Sequence, residues 1–219
     1  MQVSLSLWSC DQARIADEVQ RYDPLIDSFH VDVMDGWFVP DLLFGPLTVQ
    51  TLRALTTREI VVHLMVREPV QWAHRFADAG ADLIVVHPSA CADFPATLSG
   101  ITDSGAVAGA AVGLTELRRP LLENLSALSA VLVMGTPLGV KGQPFDRAAL
   151  DTVRHMVGAR AGGGPRVVVD GGIRWSSVPQ IAAAGADGVV AGSVVTSAPD
   201  PGAAVRAITG AGVVPESRR

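Results

Sequence analysis

The stretch SFHVDVMDGWFVPDLLFGP, residues 28–46, carries an imidazole and a carboxylate two positions apart in a run that reads as a strand over Phe29–Met34. Side chains on a strand alternate faces, so His30, Asp32 and Met34 share one face and Phe29, Val31 and Val33 take the other. An imidazole beside a carboxylate at the carboxyl end of a strand suits a divalent metal, and the carboxylate could also move a proton. For this stretch alone the alternative is a structural His–Asp pair, each group satisfying the other in a core. Two further stretches extend the pattern. In IVVHLMVR, residues 60–67, His63 and Met65 share one face and Val62, Leu64 and Val66 the other. In RVVVDGGI, residues 166–173, a β-branched run stops at Asp170 with Gly171 and Gly172 behind it. Two imidazoles and two carboxylates at the ends of three strands form a ligand set with open positions for one divalent ion: zinc, iron, manganese or cobalt.

The elements that must position these groups are bounded by composition. The chain has 219 residues, 48% hydrophobic and 18% charged, which fits one globular domain over 1–219 with a sizeable core. A net charge of −5 and a pI near 5.5 argue against a nucleic-acid surface, so an anionic ligand must be met by local groups. Cys10 and Cys91 have no CxxC spacing, which argues against a disulfide framework or a thiolate metal site. No basic leader and no apolar run of membrane-spanning length is present, and the chain reads as soluble and cytoplasmic, with no membrane partner.

Strand-like runs fall at Gln2–Trp8, Phe29–Met34, Ile60–Arg67, Asp82–His87, Gly105–Val112, Ala130–Met134, Arg166–Asp170 and Gly188–Ala191. Helical patterns alternate with them: from Asp11 as N-cap to Tyr22, Pro46–Leu55, Glu68 to Gly80 with Val70, Ala73, Phe76 and Ala77 inward, then from Phe94. Others follow at Glu116–Leu128, Asp146–Ala159, Ser177–Ala184 and Pro201–Thr209, with Ala161–Gly164 a flexible connector. Eight strands alternating with eight helices predict a (β/α)8 TIM barrel, an α/β fold whose active site lies at the carboxyl ends of its strands. His30, Asp32, His63 and Asp170 all fall there. A doubly wound open sheet is the alternative, but its glycine signature after the first strand is absent.

The motifs HVDVMDGWFVPDLLFGP, VHLMV, VVVDGGI and AGADGVVAGSVV, in this order and with SLWSCD near the start, resemble the ribulose-phosphate 3-epimerase family along the whole chain. The resemblance implies a ribulose-phosphate-binding barrel with a metal held by His30, Asp32, His63 and Asp170, and Asp32 and Asp170 as the acid–base pair. It also implies a sugar-phosphate substrate, C3 epimerisation of D-ribulose 5-phosphate to D-xylulose 5-phosphate in the pentose phosphate pathway, and a homo-oligomer. The chemistry is coherent. Two carboxylates can exchange a proton on opposite faces of a carbon beside a ketone, and a metal stabilises the ene-diolate between them. Main-chain N–H groups at Gly171, Gly172, Gly192 and Ser193 are candidates for phosphate, since glycine permits close approach. Ser6 resembles a substrate-contacting serine; Met34, Met65 and Met134 resemble methionines that line the site. In the loop after the sixth strand Gly139 and Gly142 match the family, and Lys141, the only lysine in the chain, could reach the phosphate as a point charge, as could Arg174. His87 reads as a supporting or structural histidine, and His74 and His155, on helices, as exposed.

Three loops depart from the family pattern: HPSA after the fourth strand, AAVGLTE at the fifth, and MGTPLGVKGQPF after the sixth. Specificity resides in loops grafted on a fold. A 3-epimerase for another ketose phosphate, a hexulose 6-phosphate or a sugar phosphate of specialised metabolism, is therefore a second reading. A lyase or a non-catalytic sugar-phosphate-binding barrel is a third, opposed by the complete ligand set and by the lack of a strand-end lysine.

Overall fold

Alternation along each strand decides which side chains face the barrel axis, and the register between strands decides which of them meet. The computed structural model describes residues 1–116, 119–160 and 162–211. In chain order its strands are β1 (Gln2–Ser6), β2 (Ser28–Asp35), β3 (Leu42–Leu43), β4 (Glu59–Met65), β5 (Leu83–Val86), β6 (Val107–Val112), β7 (Ala130–Met134), β8 (Arg166–Asp170) and β9 (Gly188–Ala191). All but β3 are parallel, and they close on one another because β1 pairs both β2 and β9. The barrel is the fold that the alternation predicts. Leu117, Arg118, Ala161 and residues 212–219 lie outside the described residues, so one end of the predicted connector and two positions of the predicted 116–128 helix do too.

Two layers of apolar packing hold the barrel. Outward side chains such as Phe29, Val31, Val33, Val62 and Leu64 pack in one continuous core with Tyr22, Leu52, Phe76 and Ile101, which sit on α1 (Ile15–Tyr22), α2 (Pro46–Arg53), α3 (Val70–Asp78) and α4 (Phe94–Asp103). Inside the barrel a second, smaller cluster contains Val61, Leu83, Val85, Ala111, Leu132, Met134 and Val190. Burial of this kind contributes about 25 cal/mol per Å² of apolar surface. This hydrocarbon fills the middle of the axis, and polar residues, Ser4, Ser28, Glu59 and Arg166 among them, line the mouth where the strands begin.

The structure corrects several element boundaries. The extra strand, β3, runs antiparallel to the top of β2, where a loop was expected. Its turn is built by Asp35, whose Oδ1 accepts the N–H groups of Trp37 and Phe38, both at 2.8 Å, and by Gly36 at φ 74°. Asp11 caps a 3₁₀ turn, and α1 begins only at Ile15. The helix expected over 116–128 comprises α5 (Arg119–Glu123) and a 3₁₀ turn over Leu125–Ala127, parted at Asn124, whose side chain bonds the Pro120 carbonyl instead of leaving the helix to continue. Val70, expected inward, is 42% exposed at the first residue of α3. α6 (Ala149–Ala159) starts after Asp146, and α7 (Val178–Ala183) follows Ser177. A short helix not foreseen, α8 (Ser193–Thr196), precedes the last, α9 (Pro201–Ala211). Among the described residues no helix is long and apolar enough to cross a membrane.

Candidate metal centre and active site

Sheet register assembles the charged cluster. His30 pairs with Ser6 across β1 and β2, Asp32 with His63 across β2 and β4, and Asp170 with Met134 across β7 and β8. His30, Asp32, His63 and Asp170 are all buried, and each offers a ligand atom within 4.8 Å of the other three. His30 Nε2 lies 3.2 Å from Asp32 Oδ1 and 3.5 Å from Asp170 Oδ2. His63 Nδ1 lies 3.3 Å from the same Asp32 oxygen and 3.8 Å from Asp170 Oδ2. Among the described residues neither ring nitrogen of His30 makes a well-directed hydrogen bond, although Nε2 stands close to both carboxylates in complete burial. Buried imidazole nitrogens are costly to leave unpaired, and two nitrogens with two carboxylates are a donor set for a divalent cation. The residues therefore fit a metal ion.

Within the cluster, opposite charges hold one another. Burial alone would push His30 down, but the Asp32 charge and the nearby Asp170 outweigh it and hold the imidazolium up at about 10. Burial alone would raise Asp32, yet the charge and close contact of His30 hold it below the ordinary carboxylate range. Ser6 Oγ donates to Asp32 Oδ2 at 3.2 Å, so the first-strand serine orients the carboxylate.

Behind His63 a further polar chain runs away from the cluster. His63 Nε2 lies 2.9 Å from His87 Nε2, and His87 Nδ1 lies 2.8 Å from Glu116 Oε2. Glu116 also accepts from Ser89 Oγ and, at 2.5 Å, from the Gly113 N–H. Burial would raise Glu116, but the His87 contact, Ser89 and Gly113 bring it down to about 2; burial pushes His87 below its ordinary value, only partly offset by Glu116. Glu116 and Ser89 escape sequence reasoning because Glu116 stands in a bend where a helix was expected and Ser89 in a 3₁₀ turn over Pro88–Ala90, where no sustained periodicity aims a side chain. The signal was the two departures, HPSA and AAVGLTE, which supply these contacting groups.

Above the cluster opens a cavity of about 260 Å³. Asp32 and Asp170 line it, as do Ser6, Met65, Met134, Gly139, Lys141, Gly142, Gly171, Gly172, Gly192 and Ser193. Met34 does not line it: its side chain is buried with Val39 and Met65 behind the wall. Sequence reasoning missed Trp8, Thr136, Pro137 and Ile173, which also line the cavity. Lys141 reaches across the mouth, its Nζ donating to the Trp8 carbonyl at 2.5 Å and standing 5.3 Å from the centre of the Trp8 ring. Arg174 borders the same cavity, with Nη1 on the Ile173 carbonyl at 2.9 Å. His74 and His155 are exposed on their helices, away from the cluster.

Residues 2–196 match the model of the ribulose-phosphate 3-epimerase family. A ribulose-phosphate 3-epimerase of Synechocystis sp. is 37% identical over 203 residues, covering 90% of this chain and 88% of the relative. One of Bacillus subtilis is 33% identical over 214 residues, covering 96% and 99%. Among solved structures, KGPDC from Streptococcus mutans superposes with a TM-score of 0.71 at 19% identity, over 96% of each chain, a likeness of fold.

Proposed function

The chain belongs to the ribulose-phosphate 3-epimerase family, and on that premise we propose that this single barrel domain epimerises C3 of a ketose phosphate, D-ribulose 5-phosphate to D-xylulose 5-phosphate. The observation that carries the reading is that Asp32 and Asp170, on strands separated around the barrel, both line one cavity beside two buried histidines. One carboxylate removes the C3 proton from its face of the substrate, and the other delivers a proton to the opposite face; the roles exchange in the reverse direction. Ser6 holds Asp32 in orientation through its Oδ2. Met65 and Met134 exclude water from the reacting carbons. Gly171, Gly172, Gly192 and Ser193, with Arg174 and Lys141 at the rim, receive the phosphate by main-chain N–H groups and positive charge. His30, Asp32, His63 and Asp170 would hold a divalent ion, zinc, iron, manganese or cobalt, which would supply positive charge to offset negative charge on the substrate oxygens.

The deciding experiment is NMR of D-ribulose 5-phosphate with metal-loaded protein in D2O. Conversion to xylulose 5-phosphate with deuterium at C3 upholds the reading. No conversion by folded, metal-loaded protein rejects this substrate and favours the second reading, a 3-epimerase for another ketose phosphate such as a hexulose 6-phosphate. That alternative draws on Thr136, Pro137, Val140 and Lys141, which line the cavity where the family pattern has other residues.

Metal loading carries its own pH dependence. His30 is raised to about 10 in the metal-free protein, so it holds a proton at neutral pH that a ligated imidazole cannot keep. Binding of Zn²⁺ or Mn²⁺ at about pH 7.5 should release about one proton, seen calorimetrically in buffers of different ionisation enthalpy, and affinity should rise as pH increases. Proton-neutral binding would contradict the role given to His30.

The proposal includes a homo-oligomer working in the cytoplasm. Trp37, Leu42 and Leu47 are 77%, 79% and 73% exposed and lie within one short stretch at the top of β2 and the start of α2. Apolar surface of that kind favours self-association. Light scattering should give a mass above the 22.8 kDa monomer. Cys10 and Cys91 are free thiols, which suits a reducing compartment.

A further inference from the structure

We propose that Glu116 and His87 are positioning residues that fix the tautomer of His63 and so set the affinity of the cluster for its metal, an inference that rests on the metal-site reading above. A neutral imidazole has one N–H and one lone pair, and which nitrogen carries which is decided by its partners. The two ring nitrogens of His63 face different ways. Nδ1 faces Asp32 and Asp170, at 3.3 and 3.8 Å, while Nε2 faces the His87 ring at 2.9 Å.

Two imidazole nitrogens 2.9 Å apart need one donor and one acceptor. The choice is made at the far end of the chain. Glu116 receives two donors already, Ser89 Oγ and the Gly113 N–H, so it presents a carboxylate acceptor to His87 Nδ1 at 2.8 Å. His87 must then carry its proton on Nδ1 and leave a lone pair on Nε2. That lone pair accepts from His63 Nε2–H. The remaining lone pair of His63 is on Nδ1, aimed at the cluster, which is the form a metal ligand requires. Both rings are fully buried, so water offers no competing partner.

Without the Glu116 acceptor the opposite arrangement is open. His63 would donate Nδ1–H to Asp32, a good hydrogen bond in the metal-free protein, and no lone pair would face the metal. Glu116→Ala tests this: a single carboxylate oxygen, Oε2, accepts from both His87 and Gly113, a task a glutamine oxygen could also perform, whereas alanine offers His87 Nδ1 no acceptor. Ser89→Ala is the control: it removes one hydrogen bond and leaves the carboxylate.

Two readouts are needed, neither of them turnover. Zn²⁺ affinity, measured by competition with a chromophoric chelator, should fall about 10- to 100-fold in Glu116→Ala and far less in Ser89→Ala. Long-range ¹H–¹⁵N spectra of the metal-free wild type should show His63 protonated on Nε2 and His87 on Nδ1, with His63 changing to Nδ1–H in the variant. Unchanged affinity and an unchanged His63 tautomer in Glu116→Ala would overturn the inference. So would wild-type protein whose His63 carries its proton on Nδ1, a result that stands even if the variant fails to fold. Wild type that binds no Zn²⁺ overturns the metal-site reading and the affinity claim together, and the tautomer spectra then report separately on the hydrogen-bond chain.

Discussion

Asp170→Asn at saturating metal should lower turnover roughly 10²- to 10⁴-fold, the usual worth of a positioned acid–base group. The fold should survive. Asparagine matches aspartate in shape, Asp170 is the last residue of β8, and the bond that ties this point to the next loop, Gly135 N–H to the Asp170 carbonyl at 2.5 Å, is made by main chain. The variant should therefore melt within a few degrees of wild type. A sharper signature follows from having two bases. With Asp170 disabled, Asp32 still removes a proton from its own face, so one epimer should exchange its C3 hydrogen with D2O without being converted. Near-normal conversion would sink the two-carboxylate mechanism, and loss of exchange from both epimers would mean that Asp32 does not act alone as a base.

Gly172→Ala should have the second large effect, on stability and substrate binding together. Gly172 has φ +69°, a left-handed conformation that alanine adopts at a cost. Its ideal Cβ would stand 2.6 Å from the Phe145 nitrogen, 2.7 Å from Phe145 Cα and 3.0 Å from the Pro144 carbonyl carbon. All three are main-chain atoms and cannot rotate aside, so the loop over the cavity must shift. A loss of about 2–3 kcal/mol is expected, with KM for the sugar phosphate raised severalfold. Gly142→Ala separates the two causes: φ is +82° there, but an added Cβ meets nothing within 4 Å. It should cost only the backbone penalty, about 1 kcal/mol. Equal melting temperatures for the two variants would show that the contact with Phe145 does not hold the loop.

Glycine at the strand tops meets a second demand besides the approach of a ligand. Glycine after a strand suggests close approach of a phosphate, yet Gly171 and Gly192 would also drive an added Cβ into Thr136 and Ser9. Close packing against the Thr136 and Ser9 side chains thus favours glycine there alongside the main-chain role proposed for phosphate. Met34 carries a similar lesson. Alternation put it on the His30 face correctly, but alternation says nothing about depth, and Val39 and Met65 bury it behind the cavity wall.

What the sequence by itself determined was everything with a period or a local cause: the eight barrel strands, the face shared by His30, Asp32 and Met34 and that shared by His63 and Met65, and Asp170 at the end of its strand. A side chain on a strand has only two directions, so its type and position suffice to aim it. Tertiary structure alone decided what met across distances that no local rule spans. Register set Asp32 beside His63, and closure of β1 onto β2 set Ser6 under Asp32. Loop packing laid Lys141 on Trp8 and brought Glu116 to His87, 29 positions apart in the chain. Loop side chains have no repeating geometry, and their contacts follow from which strand ends the closed barrel makes neighbours.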